Sequence, residues 1–194
     1  MSSDTKERAQ LFNLWAAVSK MVVDGKRSTA VVAKALQQIV SSMFTTLVRA
    51  DDTRTTEEVL AATPHTYVNP NITSTLFPRR RREAGTREWV VIEGDEFDHD
   101  PTSEEVFALA AARGLIRPSY EDALDFDEQH PDEQGVLVFL HEPVRVPGAR
   151  PSVVCLVRFG ADRRVRLFWS GDGWVRAFRS GFLRPPASQS GKSA

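Results

Sequence analysis

Apolar residues recur at three- and four-residue steps along the first quarter of the chain. One stripe runs from Leu11 to Val22 and a second from Val32 to Leu47. This spacing places each set on one face of a helix. Gly25 separates the two stripes and suits the left-handed position that follows a helix. The pattern predicts two helices over residues 5–50, packed against each other as a helical hairpin.

The pattern then becomes irregular. The polar stretch DDTRTTEE at 51–58 predicts one short helix, with Thr55 or Thr56 as its cap. Residues 65–87 contain two prolines and a glycine, which interrupt regular elements. We therefore expect this stretch to be a linker.

From residue 88 onward, apolar strand-like runs alternate with helical segments. The predicted strands are WVVIE at 89–93, VLVFLHE at 136–142, PSVVCLVRF at 151–159, RRVRLFWS at 163–170 and WVRAFRS at 174–180. Thr102 or Ser103 caps one predicted helix and Ser119 caps another. A tight turn at residues 160–162 suggests a hairpin, so we expect an antiparallel sheet.

The sequence as a whole predicts an α+β protein, in which an N-terminal helical hairpin precedes a small antiparallel sheet packed with one or two helices. The predicted domains are residues 5–64 (the hairpin and a short helix), 65–87 (the linker), 88–184 (the α+β domain) and 185–194 (a disordered tail).

Composition narrows the functional classes. The net charge is −1, so no bulk charge directs the 194-residue chain to nucleic acid or a membrane. Cys155 is the only cysteine, which excludes an internal disulfide and any zinc site that needs two thiolates. The sequence shows no membrane-spanning run and no signal-peptide core, so a cytoplasmic location is expected.

The stretch GDEFDHDPTSEEV at 94–106 concentrates polar residues that suit metal or acid–base chemistry. Asp95, Asp98 and His99 could serve a hydrolase that uses a divalent metal. Their spacing does not match an EF-hand loop, however, and a polar connection between a strand and a helix explains the same residues. No serine-hydrolase, phosphate-loop or zinc-protease motif is present. We therefore assign no catalytic residue, metal or cofactor.

Charge is unevenly distributed. Residues 93–133 hold fourteen acidic side chains and two arginines, whereas residues 145–184 hold nine arginines and two aspartates. One reading is that the arginines pair internally with the acidic helices, which we favour because the charges nearly cancel. The other is that arginines interleaved with aromatic residues form a recognition surface.

We expect recognition to involve exposed tryptophan and arginine side chains, which often carry binding energy. The predicted contacts are Trp169, Trp174, Arg176 and Arg179. A separate run, Arg79, Arg80, Arg81 and Arg82, suits nucleic acid or an acidic partner.

Several motifs, taken in order, resemble a group of uncharacterised small bacterial proteins from candidate phyla. They are WAAVSKMVVDGKRSTAVVAKALQQIV, NITSTLFP, TSEEVFALAAARGLIRPSYEDALDF and SGDGWVRAFRSGFLRP. The resemblance covers residues 11–48 and 69–184. Phe178 departs from it, since tryptophan is common there, and so does the run of four arginines. The resemblance implies a helical hairpin, an α+β domain and a bacterial source, but no activity.

The functional expectation is a non-catalytic accessory module that binds an unidentified protein through the arginine- and aromatic-rich sheet. Self-association through the hairpin is a further expectation. The first alternative is nucleic-acid binding through Arg79–Arg82 and the same sheet. The second is a metal-dependent hydrolase at Asp95, Asp98 and His99. No membrane partner is expected.

Overall fold

The computed structural model describes residues 16, 20, 23–25, 28–29, 32, 44–171 and 173–186. Two compact units divide the chain, Met1–Ser41 and Ser42–Ala194. Most of the predicted helical hairpin lies outside the described residues, as does the predicted tail beyond residue 186.

Within the first unit, the structure describes the turn that the sequence predicts around residue 25. Gly25 has a φ of 66°, the left-handed conformation that glycine adopts without a steric penalty. The backbone N–H of Asp24 donates to the carbonyl of Lys20 over 2.8 Å, as in a helical turn. These two features do not by themselves support a helical hairpin.

The second unit contains eight described strands and three described α-helices. The strands are β1 (Thr45–Val48), β2 (Tyr67–Val68), β3 (Gly85–Glu93), β4 (Gly135–Phe139), β5 (Val144–Arg145), β6 (Pro151–Phe159), β7 (Asp162–Trp169) and β8 (Arg179–Leu183). The helices are α1 (Thr56–Ala61), α2 (Ser103–Ala112) and α3 (Tyr120–Gln129), with a 3₁₀ turn at Gly94–Glu96.

These strands form one mixed sheet. Its order is β1–β3–β8–β4–β6–β7–β2, with β5 paired to β6. Strand β4 runs parallel to β8 and β2 runs parallel to β7, while the other described pairs are antiparallel. The predicted fold class, a helical hairpin followed by a small antiparallel sheet, is therefore wrong. The described chain is built mainly on an eight-stranded mixed sheet, and several of its strands are too short or too polar to show a period of two in sequence.

The position of strand β1 shows that the predicted end of the second helix is wrong. The sequence pattern predicts that the second helix reaches residue 50, yet Thr45–Val48 pairs antiparallel with β3. Thr46 and Val48 are buried, and Leu47 between them is exposed, which is the alternation of a strand. The outer edge of β1 is covered by Gln129, whose side chain accepts from the Leu47 N–H over 2.7 Å and donates to the Leu47 carbonyl over 3.1 Å.

The predicted linker also belongs to the folded unit. Residues 65–87 include β2 and the start of β3, and they contribute Ile72 and Phe77 to the core. The Thr56 hydroxyl donates to the Phe77 carbonyl over 2.5 Å and so ties this segment to α1. Proline breaks regular structure without preventing a loop from burying its apolar side chains.

The helix starts that the sequence predicts are confirmed. Each of these three α-helices begins after a residue whose hydroxyl accepts the backbone N–H of the residue three positions later. The carboxylate of that later residue accepts the backbone N–H of the capping residue in return. The pairs are Thr55 with Glu58, Thr102 with Glu105 and Ser119 with Asp122.

Both faces of the sheet are covered in its centre. On the first face, α1, α3 and the 72–77 segment bury a cluster around Trp89, Phe126 and Phe139. On the second face, α2 buries a cluster that includes Val138, Cys155 and Trp174. Successive strand residues point to opposite faces of the sheet, so a strand that is covered on both faces carries apolar residues at consecutive positions. Strands β4 and β6 have this pattern. Among the described residues, no helix combines the length and the apolar character that a membrane crossing needs.

Candidate binding surfaces

The carboxylates of α3 are paired with arginines that lie just before β3. Arg82 donates to Asp122 over 2.8 Å and also to Asp125. Arg79 donates to Asp125 over 3.1 Å and to Asp52 over 3.2 Å. The side chains of Arg79 and Asp125 are 8% and 5% exposed, so these ion pairs are shielded from water. Burial raises the pKa of Asp125, and the two guanidinium groups oppose that shift.

The run of four arginines is thereby divided. Arg79 and Arg82 turn inward to α3, whereas Arg80 and Arg81 are exposed. Neither exposed arginine has an ion-pair partner among the described residues. Only half of the predicted basic run is therefore free to meet a ligand.

A second buried pair holds the C-terminal half of α3 against the sheet. Arg158 on β6 donates to a carboxylate oxygen of Asp127, and His65 contacts the other oxygen over 2.7 Å. The side chains of Arg158 and Asp127 are 2% and 3% exposed. Burial alone raises the pKa of Asp127, but the hydrogen bond to His65 and the charge of Arg158 lower it overall.

Further acidic side chains are neutralised in the same way. Arg54 pairs with Asp52 and Glu128, Arg113 with Glu96, Arg117 with Glu142, and Arg179 with Glu133. The hydrogen bond from Arg54 lowers the pKa of Asp52. The favoured interpretation, that the arginines of residues 145–184 pair with the acidic stretch at 93–133, is confirmed for Arg158 with Asp127 and for Arg179 with Glu133. Arg54, Arg113 and Arg117 lie outside that set of arginines.

Trp174, predicted as an exposed contact, is instead buried. It is 4% exposed and belongs to the core on the second face. Its indole N–H donates to the Ser103 hydroxyl over 2.9 Å, and its backbone N–H donates to the Pro101 carbonyl over 2.7 Å. Residues 174–178, predicted as part of a strand, form a connection that closes over the start of α2. The position of Trp174 after a glycine turn gave no signal of this burial.

The other three predicted sheet contacts lie in different environments. Arg179 is paired with Glu133 and its side chain is only 13% exposed. Arg176 is exposed, with its backbone N–H bound to Asp100 over 2.9 Å. Trp169 is partly buried, and the guanidinium of Arg150 lies 4.0 Å from its ring centroid. The structure does not bring the four predicted residues together as one exposed patch.

A different group on the second face does form a continuous array. The guanidinium of Arg166 lies 5.7 Å from the ring centroid of Phe168, and Phe168 stacks on Phe178 at 5.9 Å with an interplanar angle of 26°. We call Arg166, Phe168 and Phe178 the Arg/Phe strip. Arg166 is exposed and has no ion-pair partner among the described residues. Alternation along β7 places Arg166 and Phe168 on one face, but the stacking of Phe178 depends on the 174–178 connection.

The polar stretch after β3 forms a connection. His99 contacts Asp98 over 2.5 Å and Glu105 over 2.9 Å, and these two interactions raise its pKa. Asp98 and His99 are largely exposed, and Glu105 belongs to the cap of α2. Across the described residues, no group of three histidine, cysteine, aspartate or glutamate side chains is arranged to hold a metal ion.

His141 and Cys155 are core residues. His141 is fully buried, accepts the Val154 N–H at Nε2 over 2.8 Å, and lies 2.6 Å from the Glu142 carbonyl through Nδ1. These contacts require the neutral ring, and burial lowers the pKa of His141 to about 4. Burial raises the pKa of the Cys155 thiol, as expected for a small apolar strand residue.

Two cavities flank the arginine run. One of about 500 Å³ lies between residues 50–54 and 79–81. Another, of about 620 Å³, lies between the 75–80 segment, the start of α3 and residues 142–144. Arg80 lines both cavities.

Comparison with protein-family models, with curated proteins and with solved structures found no match to this chain. The resemblance to small bacterial proteins therefore stays a prediction.

Proposed function

We propose that the protein is a non-catalytic binding module that recognises an acidic segment of another protein through the Arg/Phe strip. The observation that carries the proposal is the exposed guanidinium of Arg166, which has no ion-pair partner in the described part of the chain and lies 5.7 Å from the nearer of two stacked phenylalanine rings. Arginine and aromatic side chains are the types that most often dominate protein interfaces. A carboxylate on the partner supplies the counter-charge that no described residue provides at Arg166.

Charge elsewhere in the protein supports an acidic partner. Three carboxylates of α3, those of Asp122, Asp125 and Asp127, are engaged with Arg79, Arg82 and Arg158, so they do not compete for the strip. Arg176 is also exposed without an ion-pair partner among the described residues. Arg166 and Arg176 are therefore uncompensated positive charges, although the net charge of the chain is −1.

The nucleic-acid alternative has less support, because its two elements lie apart. Arg79 and Arg82 contact α3 on the first face of the sheet, whereas the Arg/Phe strip lies on the second face. The hydrolase alternative also gains no support, since His99 is exposed and lies against the cap of α2. The cytoplasmic location remains part of this proposal.

A capture experiment with purified, immobilised protein tests the proposal in lysate of the source cell. Arg166→Glu reverses the charge of the strip, and Phe168→Ala removes its central ring. Arg145→Glu is the matched control, because it makes the same charge change at an exposed arginine outside the strip. We expect both strip variants to lose a partner that the wild type and the control retain in stoichiometric amount. Equal capture by all four proteins contradicts the proposal, provided that circular dichroism shows each to be folded.

A further inference from the structure

A concave, positively charged site lies away from the Arg/Phe strip. It is formed by the connection between β1 and α1 and by the segment that leads into β3. The cavity measures about 500 Å³, and its charged lining residues are Asp51, Asp52, Arg54, Arg79, Arg80 and Arg81. Four cations thus face two anions in a volume that lies within the range of small-ligand sites.

The arginine segment is held at its base. Phe77 is fully buried, and its carbonyl accepts the Thr56 hydroxyl over 2.5 Å. The Pro78 carbonyl accepts the Tyr120 hydroxyl, also over 2.5 Å. Because these contacts come from α1 and α3, the following arginines begin from a fixed backbone position. A preorganised site of this kind loses less conformational entropy when a ligand binds.

Of the two anions that line the cavity, Asp52 is already engaged, whereas Asp51 is exposed. Asp52 accepts from Arg54 through both carboxylate oxygens, at 2.9 Å and 2.8 Å, and from Arg79 at 3.2 Å. Arg54 is in turn held by Glu128. These contacts leave Arg80 and Arg81 without a carboxylate partner among the described residues.

Arg79 lies beneath the exposed arginines and is held by two carboxylates of the protein. Its side chain is 92% buried, since only 8% is exposed. Nη2 is shared between Asp52 and Asp125, but the buried Nη1 has no hydrogen-bond acceptor in the described structure. Because this N–H is inaccessible to solvent, Arg79 contributes to the cavity that it lines through its charge and not through a direct contact.

We propose that this cavity binds the phosphate or diphosphate group of a small phosphorylated ligand, with Arg80 and Arg81 as the main contacts and Arg79 beneath them. Guanidinium groups pair with phosphate oxygens through two parallel hydrogen bonds, which suits arginine better than lysine. A terminal phosphate group fits a concave site in which the arginines outnumber the carboxylates of Asp51 and Asp52, whereas a nucleic-acid strand needs a groove that continues past both ends of the contact. The site is independent of the Arg/Phe strip.

Isothermal titration calorimetry at low salt tests the site with three probes: inorganic pyrophosphate, ATP and a short single-stranded oligonucleotide. The test variant is Arg80→Gln/Arg81→Gln. The matched control is Arg145→Gln/Arg150→Gln, which removes the same charge from exposed positions elsewhere. We expect pyrophosphate and ATP to bind the wild type and the control, and to bind the test variant at least about tenfold more weakly.

Three results would overturn the proposal. The wild type does not bind pyrophosphate or ATP at low salt; the test variant binds them as tightly as the control does; or the oligonucleotide binds the wild type more tightly than either small probe. The last result replaces a small phosphorylated ligand with a nucleic-acid strand. None of these results bears on partner capture by Arg166→Glu, so failure here is distinguishable from failure of the proposed function.

Discussion

The buried pair between Asp127 and Arg158 gives the sharpest prediction about stability. Asp127→Asn removes the carboxylate charge at nearly constant shape and leaves the Arg158 guanidinium, which is 2% exposed, without its counter-charge. Breaking a buried ion pair from one side costs about 3–5 kcal/mol. Total stabilities are commonly about 5–15 kcal/mol, so this loss is a large fraction of the whole.

Urea unfolding followed by tryptophan fluorescence measures the effect, because Trp89 is fully buried in the native core. We expect the unfolding free energy of Asp127→Asn to fall by about 3–5 kcal/mol. The melting temperature should fall by about 10 °C, from a shift of about 2–4 °C per kcal/mol for a chain of this size.

Arg164→Gln is the control for the same experiment. It breaks an ion pair with Asp162 whose side chains are 44% and 37% exposed, and exposed pairs contribute less than about 1 kcal/mol. A double variant, Asp127→Leu/Arg158→Met, removes both buried charges and should recover part of the loss. If Asp127→Asn lowers the unfolding free energy no more than Arg164→Gln does, the buried pair does not stabilise the fold in the way proposed.

The remaining predictions concern a glycine, a histidine and a tryptophan. Gly94→Ala places a methyl group 2.4 Å from the Phe178 carbonyl oxygen, so it should lower the unfolding free energy measured in urea by about 1–3 kcal/mol. Gly85→Ala is the control and should change the unfolding free energy little, because no atom lies closer than 4.0 Å to the added methyl group. Equal effects of the two substitutions contradict this packing. Because the pKa of His141 falls from 6.5 to about 4 on folding, the unfolded chain takes up the proton first, and about 3 kcal/mol of stability should be lost between pH 7 and pH 4. His141→Gln should lack that component, and parallel pH profiles would be inconsistent with a neutral buried ring. Trp174→Ala should lower the melting temperature more than Phe168→Ala does, because Trp174 is 4% exposed whereas Phe168 is only partly buried against the same core; the reverse order argues against the burial assigned to Trp174.

Local signals in the sequence were strong enough to predict part of the fold. The hydroxyl caps at Thr55, Thr102 and Ser119 mark the helix starts because capping depends on residues only three positions apart. The apolar run at 151–159 coincides with β6 because it is buried on both faces along most of its length. Such features are determined by neighbouring residues and do not require knowledge of the tertiary fold.

The sheet topology is not encoded in this local way. Strand β2 has two residues and pairs with β7 almost a hundred positions later, and β1 contains two threonines with only Leu47 and Val48 as apolar residues. Pairing at such distances depends on backbone hydrogen bonds and on the packing of other elements. The mixed sheet was therefore not predicted, and β1 was assigned to a helix.

The candidate sites, like the fold, were predictable from the sequence only in part. Charge counting predicted that acidic and basic residues would neutralise each other, because the opposite charges of the second half nearly cancel. It does not predict which arginines remain unpaired, since Arg79 and Arg80 are adjacent in sequence, yet the Arg79 side chain is buried against two aspartates and Arg80 is exposed. Likewise, exposure of Trp174 was inferred from residue type, but the 174–178 connection decides its burial.

Photo-crosslinking inside the source cell tests most directly whether the Arg/Phe strip binds an acidic partner. A photoreactive residue replaces Phe168 in one protein and Arg145 in another, and mass spectrometry identifies the crosslinked peptides. We predict that position 168 crosslinks to one partner at a segment rich in aspartate and glutamate, that Arg166→Glu abolishes this product, and that position 145 does not form it. The same product from both positions, or crosslinks from position 168 only to segments without acidic residues, would contradict the account.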